Sequence, residues 1–122
     1  GTRQIWIGGG IGIAPFVARM KALAAQGDGR RIDLFHTTKE YDESAIAKLR
    51  EDVAASGVTL HMSVDARDGY LTSDKIIAAV PDWKDADIWF CGPVAMGKAL
   101  RKGLAGKGMP ESSFHAELFA MR

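Results

Sequence analysis

Cysteine, excess charge and long apolar runs are all scarce in this sequence, and each scarcity excludes a class of protein. Cys91 is the single cysteine among 122 residues, which excludes an internal disulfide framework and any site with four cysteine ligands. The 16 basic residues balance 15 acidic ones, for a net charge of +1, so the basic excess of nucleic-acid-binding domains is missing. No apolar run approaches the roughly 20 residues of a membrane-spanning helix. We expect neither a metal site nor a nucleic-acid partner.

The proportions of hydrophobic and charged residues are typical of one globular domain. Hydrophobic residues make up 47% and charged residues 25% of the chain, enough to bury a single core. The first residue is Gly1 rather than methionine, and an apolar strand is expected from Gln4 onward. We therefore interpret residues 1–122 as one domain cut from a longer protein. The lone thiol favours a reducing, cytoplasmic setting.

Short β-branched or aromatic runs alternate with longer amphipathic stretches, which predicts parallel strands joined by helices. Strands are predicted over residues 4–7, 31–36, 58–64, 87–91 and 114–119. Helices are predicted over residues 15–26, 43–55, 72–79 and 95–105, with a loop over residues 65–69. Right-handed crossovers then favour an α/β fold, a three-layer, doubly wound, Rossmann-like sheet of five parallel strands in the order 3-2-1-4-5. Its ligand crevice is expected where strands 1 and 4 end.

A few side chains refine this prediction. Asp42 and Thr72 are expected to cap the second and third helices. Trp6 and Trp89, on neighbouring strands, are expected in the core, whereas Trp83 is expected to pack as a lid on the last helix.

A glycine-rich turn, GGGIGIAP over residues 8–15, follows the first strand. Glycines let the backbone approach an anion closely, and the helix that follows presents free N–H groups and the positive end of its dipole. This predicts binding of a nucleotide phosphate. Pro15 stands where the usual dinucleotide fingerprint has a third glycine. The alternative is a tight strand-to-helix turn without a ligand.

Three motifs together carry a family resemblance. Residues 9–16 (GGIGIAPF) resemble the first nucleotide-binding motif of the ferredoxin–NADP reductase superfamily. The CGP at residues 91–93, followed by Met96, is similar to that superfamily's second motif. The ending HAELF, residues 115–119, is similar to the end of flavohaemoglobin and ferric-reductase-like members, and the ferric-reductase-like proteins are the ones the chain resembles most.

The resemblance implies the NAD(P)-binding domain of a flavin-dependent oxidoreductase. Hydride would pass from dihydronicotinamide to FAD, and electrons would then pass to an acceptor such as ferric iron, haem or an iron–sulfur protein. FAD would be held mainly by an N-terminal barrel that is not in this chain, so the isolated domain should not turn over. The parent would be cytoplasmic, or would lie on the cytoplasmic face of a membrane if it is anchored there.

Individual roles follow from the same resemblance. A catalytic neighbourhood near the nicotinamide would be formed by Cys91, Glu117 and Phe119. Nucleotide binding would fall to Gly9, Gly10, Gly12, Ile13, Ala14, Pro15, Gly92, Pro93 and Met96. The alternatives remain open: Cys91 as a small apolar plug, and the other two as an ordinary terminal strand. His115 is expected only to cap that strand or to lie at its edge.

The choice between NADH and NADPH depends on what meets the adenosine ribose, because a carboxylate repels a 2′-phosphate and a cation attracts it. Thr37 and Lys39 follow strand 2, and Asp65 and Arg67 follow strand 3. Asp65 favours NADH, whereas Lys39 and Arg67 favour NADPH. We lean to NADH.

Two other functions remain open at this point. The domain could be the reductase component of a soluble oxygenase, or a non-catalytic module that senses nucleotide through the same glycine turns. In a sensor, Cys91 and the two terminal residues would be dispensable.

Overall fold

The computed structural model describes residues 3–26 and 31–116. Five parallel strands form one sheet in the order β3-β2-β1-β4-β5, which confirms the predicted order. The strands are β1 (Arg3–Gly9), β2 (Arg31–Thr38), β3 (Thr59–Val64), β4 (Asp87–Cys91) and β5 (Phe114–His115). The helices are α1 (Ala14–Gln26), α2 (Glu43–Ser56), α3 (Asp65–Asp68), α4 (Ser73–Ala79) and α5 (Val94–Ala105). Short 3₁₀ turns occur at Gly10–Ile13, Trp83–Asp85 and Glu111–Ser113.

Both predicted helix caps form. The Asp42 carboxylate accepts a hydrogen bond from the Ala45 N–H at 3.1 Å, and the Thr72 hydroxyl accepts one from the Lys75 N–H at 3.3 Å. Each satisfies a backbone donor that the first helical turn leaves without a partner. These caps fix where α2 and α4 begin, and so where the chain returns to the sheet.

Two separate cores pack against the two faces of the sheet. Alternate residues of β1 point to opposite faces, so Ile5 and Ile7 pack with α4 and α5, while Trp6 packs with Phe16 and Met20 of α1. Trp6 and Phe16 stack with ring centroids 5.3 Å apart. Burial on both faces is what holds an all-parallel sheet together.

The structure corrects the predicted loop over residues 65–69, which forms the one-turn helix α3. The Asp68 carboxylate accepts a hydrogen bond from the Val64 N–H at 2.9 Å, and Gly69, at φ 76°, ends the turn. A side chain that satisfies the first backbone donor stabilises a helical turn even in a polar segment.

Two tryptophans also differ from expectation. Trp83 is only 5% exposed and belongs to the core rather than forming a lid. Trp89 is only partly buried, and it stacks on His115 with ring centroids 4.2 Å apart.

The last strand was predicted over residues 114–119. The observed β5 contains two of these residues, and residues 117–119 lie outside the described part. Within the described ranges, no helix is long and apolar enough to cross a membrane.

Candidate functional site

The two glycine turns touch each other at the carboxyl ends of β1 and β4. A Cβ added to Gly12 would clash with the carbonyl oxygen of Cys91, and one added to Gly92 would lie 3.1 Å from the Cα of Gly9. Only residues without side chains allow this approach. The contact joins the two sequence motifs into one feature, although they are about 80 residues apart in the chain.

Gly10 carries the unusual backbone conformation of the first turn. Its φ is +58°, and a Cβ there would meet nothing within 4 Å, so backbone geometry rather than space explains the glycine. The 3₁₀ turn Gly10–Ile13 leads directly into α1. The Ala14 N–H donates to the Ile11 carbonyl oxygen and Pro15 has no N–H, so the backbone donors that favour an anion here are those at the start of the 3₁₀ turn.

A cavity of about 510 Å³ opens beside this turn. It is bounded by the ends of the central strands, the loop after α3 and the first two turns of α5. Its lining residues are Gly9, Gly10, Thr37, Thr38, Lys39, Asp65, Tyr70, Leu71, Pro93, Ala95, Met96 and Ala99. The Thr37 hydroxyl lies 4.0 Å from the Met96 sulfur, which links the end of β2 to α5 across the cavity.

Seven of the predicted binding residues line this cavity, which we call the nucleotide cavity. They are Gly9, Gly10, Thr37, Lys39, Asp65, Pro93 and Met96. The others lie elsewhere. Gly12 is buried in the turn contact, and Ile13 packs over Gly8 and onto the core with α1. Ala14 and Pro15 begin α1 and do not line the cavity.

Arg67 also lies away from the cavity lining. Its guanidinium is paired with Asp68, with Nε and Nη2 at 3.0 and 2.9 Å from the two carboxylate oxygens. The side chain is exposed. Of the charged groups predicted near the ribose, only Asp65 and Lys39 therefore face the cavity.

Five residues that line the cavity were not predicted: Thr38, Tyr70, Leu71, Ala95 and Ala99. Tyr70 is the aromatic residue among them. It is 77% exposed and follows Gly69, whose φ of 76° turns the chain back over the cavity. The signal available in the sequence was an aromatic residue directly after a glycine, shortly after the end of a predicted strand. Its position depends on α3, a helix that the sequence did not predict.

Cys91 and Gly92 line a separate, smaller cavity of about 200 Å³ rather than the nucleotide cavity. Burial raises the pKa of the Cys91 thiol, so the group stays protonated at neutral pH. A protonated thiol acts by size and polarity rather than as a nucleophile. Glu117 and Phe119, the other predicted catalytic residues, lie outside the described residues.

His36 hydrogen-bonds to the backbone at the start of the first glycine turn. Its ring Nδ1 lies 3.0 Å from the Gly8 carbonyl oxygen, which ties the end of β2 to the end of β1. Burial lowers the pKa of His36 more than this hydrogen bond raises it. The neutral ring with its proton on Nδ1 donates this bond. In the part of the chain that the structure describes, no group of three or more histidine, cysteine or acidic side chains could hold a metal ion.

Comparison with known proteins shows the family of this chain. The family model described as the oxidoreductase NAD-binding domain matches residues 6–102. A flavohemoprotein from Bordetella pertussis is 30% identical over 132 aligned positions, which cover 98% of this chain and 33% of that protein. The chain thus spans about a third of the length of the curated relatives it matches first.

Two solved structures share the fold. A cytochrome P450 reductase from Amycolatopsis is 27% identical with a TM-score of 0.70, covering 94% of this chain and 37% of that one. A flavohemoglobin from Malassezia yamatoensis, solved with bound FAD and heme, has a TM-score of 0.81 at 18% identity, covering 95% of this chain and 32% of that one. At that identity the second likeness shows the fold alone.

Proposed function

We propose a function from one premise: the chain belongs to the family of oxidoreductase NAD-binding domains. In this proposal residues 1–122 are the domain of a flavin-dependent reductase that binds NAD(P)H and delivers its hydride to FAD on another domain of the same parent chain. Electrons then pass to a downstream acceptor. The observation that carries the proposal is the nucleotide cavity, which opens directly onto the positive-φ turn at Gly10.

The lining residues suggest how the nucleotide lies. Backbone N–H groups near Gly9 and Gly10 would receive the pyrophosphate. The adenosine half would occupy the cavity, where the Tyr70 ring and the apolar side chains of Leu71 and Met96 offer a stacking surface. The nicotinamide would then extend toward Cys91, at the end of β4.

NADH is the proposed nucleotide. Asp65 lines the cavity and would accept hydrogen bonds from a free ribose, whereas a 2′-phosphate would meet its negative charge. The pairing of Arg67 with Asp68 removes one of the two cations that had favoured NADPH. Lys39 remains as the cation on the cavity wall.

The chain's own residues bind and orient the nucleotide. Hydride leaves dihydronicotinamide without a protein nucleophile, and the raised pKa of Cys91 fits a packing role beside the ring. FAD, held by the other domain, would supply the hydride acceptor and the one-electron chemistry that follows. The contact between Gly12 and the Cys91 backbone would keep both motifs in register along one nucleotide.

Haem is the proposed acceptor, because the Bordetella relative is a flavohemoprotein. The second candidate is the reductase component of a soluble oxygenase, favoured by the similarity to the Amycolatopsis cytochrome P450 reductase. Ferric iron remains a prediction from the chain's terminal motif. The proposed location of the parent is the cytoplasm.

Titration of the 122-residue chain with NADH by calorimetry tests the binding proposal. Tyr70→Ala should weaken binding by about fivefold or more, since stacking of a base on an aromatic ring contributes about 1–3 kcal/mol. Tyr41→Ala is the matched control, because Tyr41 is also exposed but does not line the cavity. Equal affinities for the two variants would refute the placement of adenosine.

A second experiment separates the reductase from the non-catalytic sensor. In the parent protein with its flavin domain, Cys91→Ala should slow reduction of the flavin by NADH in stopped-flow measurements and leave the dissociation constant of NADH unchanged. If the domain were a sensor, NADH would not reduce the flavin, and the substitution would have no reduction rate to change. Normal reduction rates in the variant would contradict the packing role of Cys91.

A further inference from the structure

We propose that Lys75 is a positioning residue for the nucleotide: it holds residues 68–70, which we call the tyrosine loop, in the conformation that presents Tyr70 to the adenosine. The proposal rests on the proposed function, because it explains how one wall of the nucleotide cavity is kept in place. Lys75 is not among the residues that line this cavity. It lies in the first turn of α4, a few residues after the tyrosine loop.

Lys75 binds the tyrosine loop on both sides of Gly69. Its ammonium group donates one hydrogen bond to the Asp68 carbonyl oxygen at 2.9 Å and another to the Tyr70 carbonyl oxygen at 2.8 Å. The Ser63 hydroxyl donates to the Gly69 carbonyl oxygen between them, at 3.4 Å. Every carbonyl of the loop thus accepts a bond from a side chain. The two shortest come from one charged group, and charge-assisted hydrogen bonds are the stronger kind.

The conformation of Gly69 explains why the loop depends on these bonds. Its φ of 76° and ψ of 178° lie in a region that is almost restricted to glycine. Glycine loses more conformational freedom on ordering than any other residue. A Cβ added to Gly69 would lie 3.6 Å from the Lys75 Nζ, so the ammonium group lies directly against this flexible position. Lys75 therefore restricts the residue that sets the direction of Tyr70.

The start of α4 gives Lys75 a fixed base. Its backbone N–H donates to the Thr72 hydroxyl at 3.3 Å, which is the helix cap. The side chain thus extends from a capped helical turn back to the loop that precedes it. Because the cap and the ammonium bonds belong to one residue, the tyrosine loop is tied to α4 rather than only to its own neighbours in the chain.

Tyr70 depends on its backbone because packing does not hold it. The residue is 77% exposed although it lines the nucleotide cavity. An aromatic ring on a mobile loop loses that mobility when a base stacks on it, and this loss weakens binding. A loop that is already ordered avoids the loss. Lys75 is therefore expected to increase affinity for the nucleotide without touching it.

A direct attraction between Lys75 and the nucleotide is the alternative, and it makes a different prediction. A lysine that attracts a phosphate acts whether or not Tyr70 is present. A positioning residue acts only through the Tyr70 ring. In the structure the ammonium group faces two carbonyl oxygens, whereas Lys39 is the lysine on the cavity wall. This geometry favours positioning.

The test is a double-mutant cycle on the 122-residue chain, with dissociation constants of NADH measured by calorimetry. The proteins are wild type, Lys75→Met, Tyr70→Ala and the double variant. Methionine keeps an unbranched side chain and removes the donors. Lys75→Met should weaken NADH binding by about threefold to fivefold, because the loop must then be ordered when the nucleotide binds. In the Tyr70→Ala background the same substitution should have no further effect.

Two further variants separate positioning from a general effect on the fold. Lys75→Arg keeps several donors within reach of the two carbonyls and should bind NADH nearly as tightly as wild type. Lys102→Met is the matched control, because Lys102 is an exposed lysine on α5 that lines neither cavity. In the nucleotide-free chain, ¹⁵N relaxation should show greater mobility of the Gly69 and Tyr70 amides in Lys75→Met than in this control.

Coupling between the two substitutions, together with rescue by arginine, would support the proposal. An equal loss of affinity in the wild-type and Tyr70→Ala backgrounds would overturn it and make Lys75 a direct contact of the nucleotide. If wild type binds NADH and Lys75→Met binds it equally well, this proposal alone fails. If wild type does not bind NADH, the proposed function fails and this inference fails with it.

Discussion

Asp65→Asn is the substitution that tests nucleotide selection most directly. Asp65 lines the nucleotide cavity at the start of α3 and is partly buried. The change keeps the size of the side chain and removes its charge. For NADH, the substitution removes a charged acceptor of hydrogen bonds from the ribose. For NADPH, it removes the repulsion between the carboxylate and the 2′-phosphate. The two effects change the two dissociation constants in opposite directions and therefore add in their ratio, so this ratio is the quantity to measure.

The magnitude follows from the exposure of the carboxylate. A hydrogen bond to a charged group contributes about 1.5–3 kcal/mol. Because Asp65 is only partly buried, solvent screening favours the lower end of this range. About 1.5 kcal/mol corresponds to about a tenfold loss of NADH affinity. Relief of repulsion should strengthen NADPH binding at the same time, so the preference for NADH should fall by more than tenfold.

Calorimetric titration of both nucleotides, on wild type and on the variant, measures this ratio. Glu51→Gln is the control, since this glutamate is exposed on α2 away from the cavity. Lys39→Gln should move the ratio in the opposite direction, because Lys39 is the cation on the same wall. A ratio unchanged within twofold in Asp65→Asn would refute the assignment of the ribose to this part of the cavity.

Two further predictions concern stability. Gly12→Ala should lower the free energy of unfolding by about 1–3 kcal/mol in denaturant titrations, because its Cβ would force the Cys91 backbone away; a neutral effect would contradict the tight contact of the turns. The lowered pKa of His36 means that the unfolded chain binds a proton more readily than the folded one. Its contribution is therefore fully present above the unfolded pKa of about 6.5 and is lost as pH falls toward the lower folded value. Melting temperatures of wild type and His36→Gln should differ in slope across this window, and parallel curves would argue against it.

Strand order, and the edge of the sheet at which the candidate site is proposed, could be predicted because both depend on local patterns. β-branched and aromatic runs separated by helical stretches indicate parallel strands, and handed crossovers restrict their order. The crevice at the ends of β1 and β4 then follows from topology. Asp42 and Thr72 were predictable for the same reason, since a cap acts within three residues.

What could not be predicted depends on contacts between distant residues. Gly12 reads as a phosphate-contacting glycine, and its second role, making room for the Cys91 backbone, is visible only in the structure. Tyr70 lines the cavity directly after α3, a turn in which the Asp68 side chain accepts a hydrogen bond from the Val64 N–H. Trp83 reads as a lid on the last helix, but it is buried in the core cluster that includes Leu100 and Leu104 of α5. Each of these three positions depends on which helices and strands pack against each other.

Helix α5 connects the two cavities, and this gives the domain a property that neither motif indicates by itself. One side of its first two turns carries Met96 to the nucleotide cavity, and the other carries Lys98 to the smaller one. A Cβ at Gly97 would lie 2.7 Å from the Phe90 ring, so the helix is seated against β4 as closely as its sequence permits. Any ligand that shifts α5 on one side must alter the cavity on the other. A shift of α5 would then be the route by which a ligand in one cavity affects the other, and such linkage would be reciprocal.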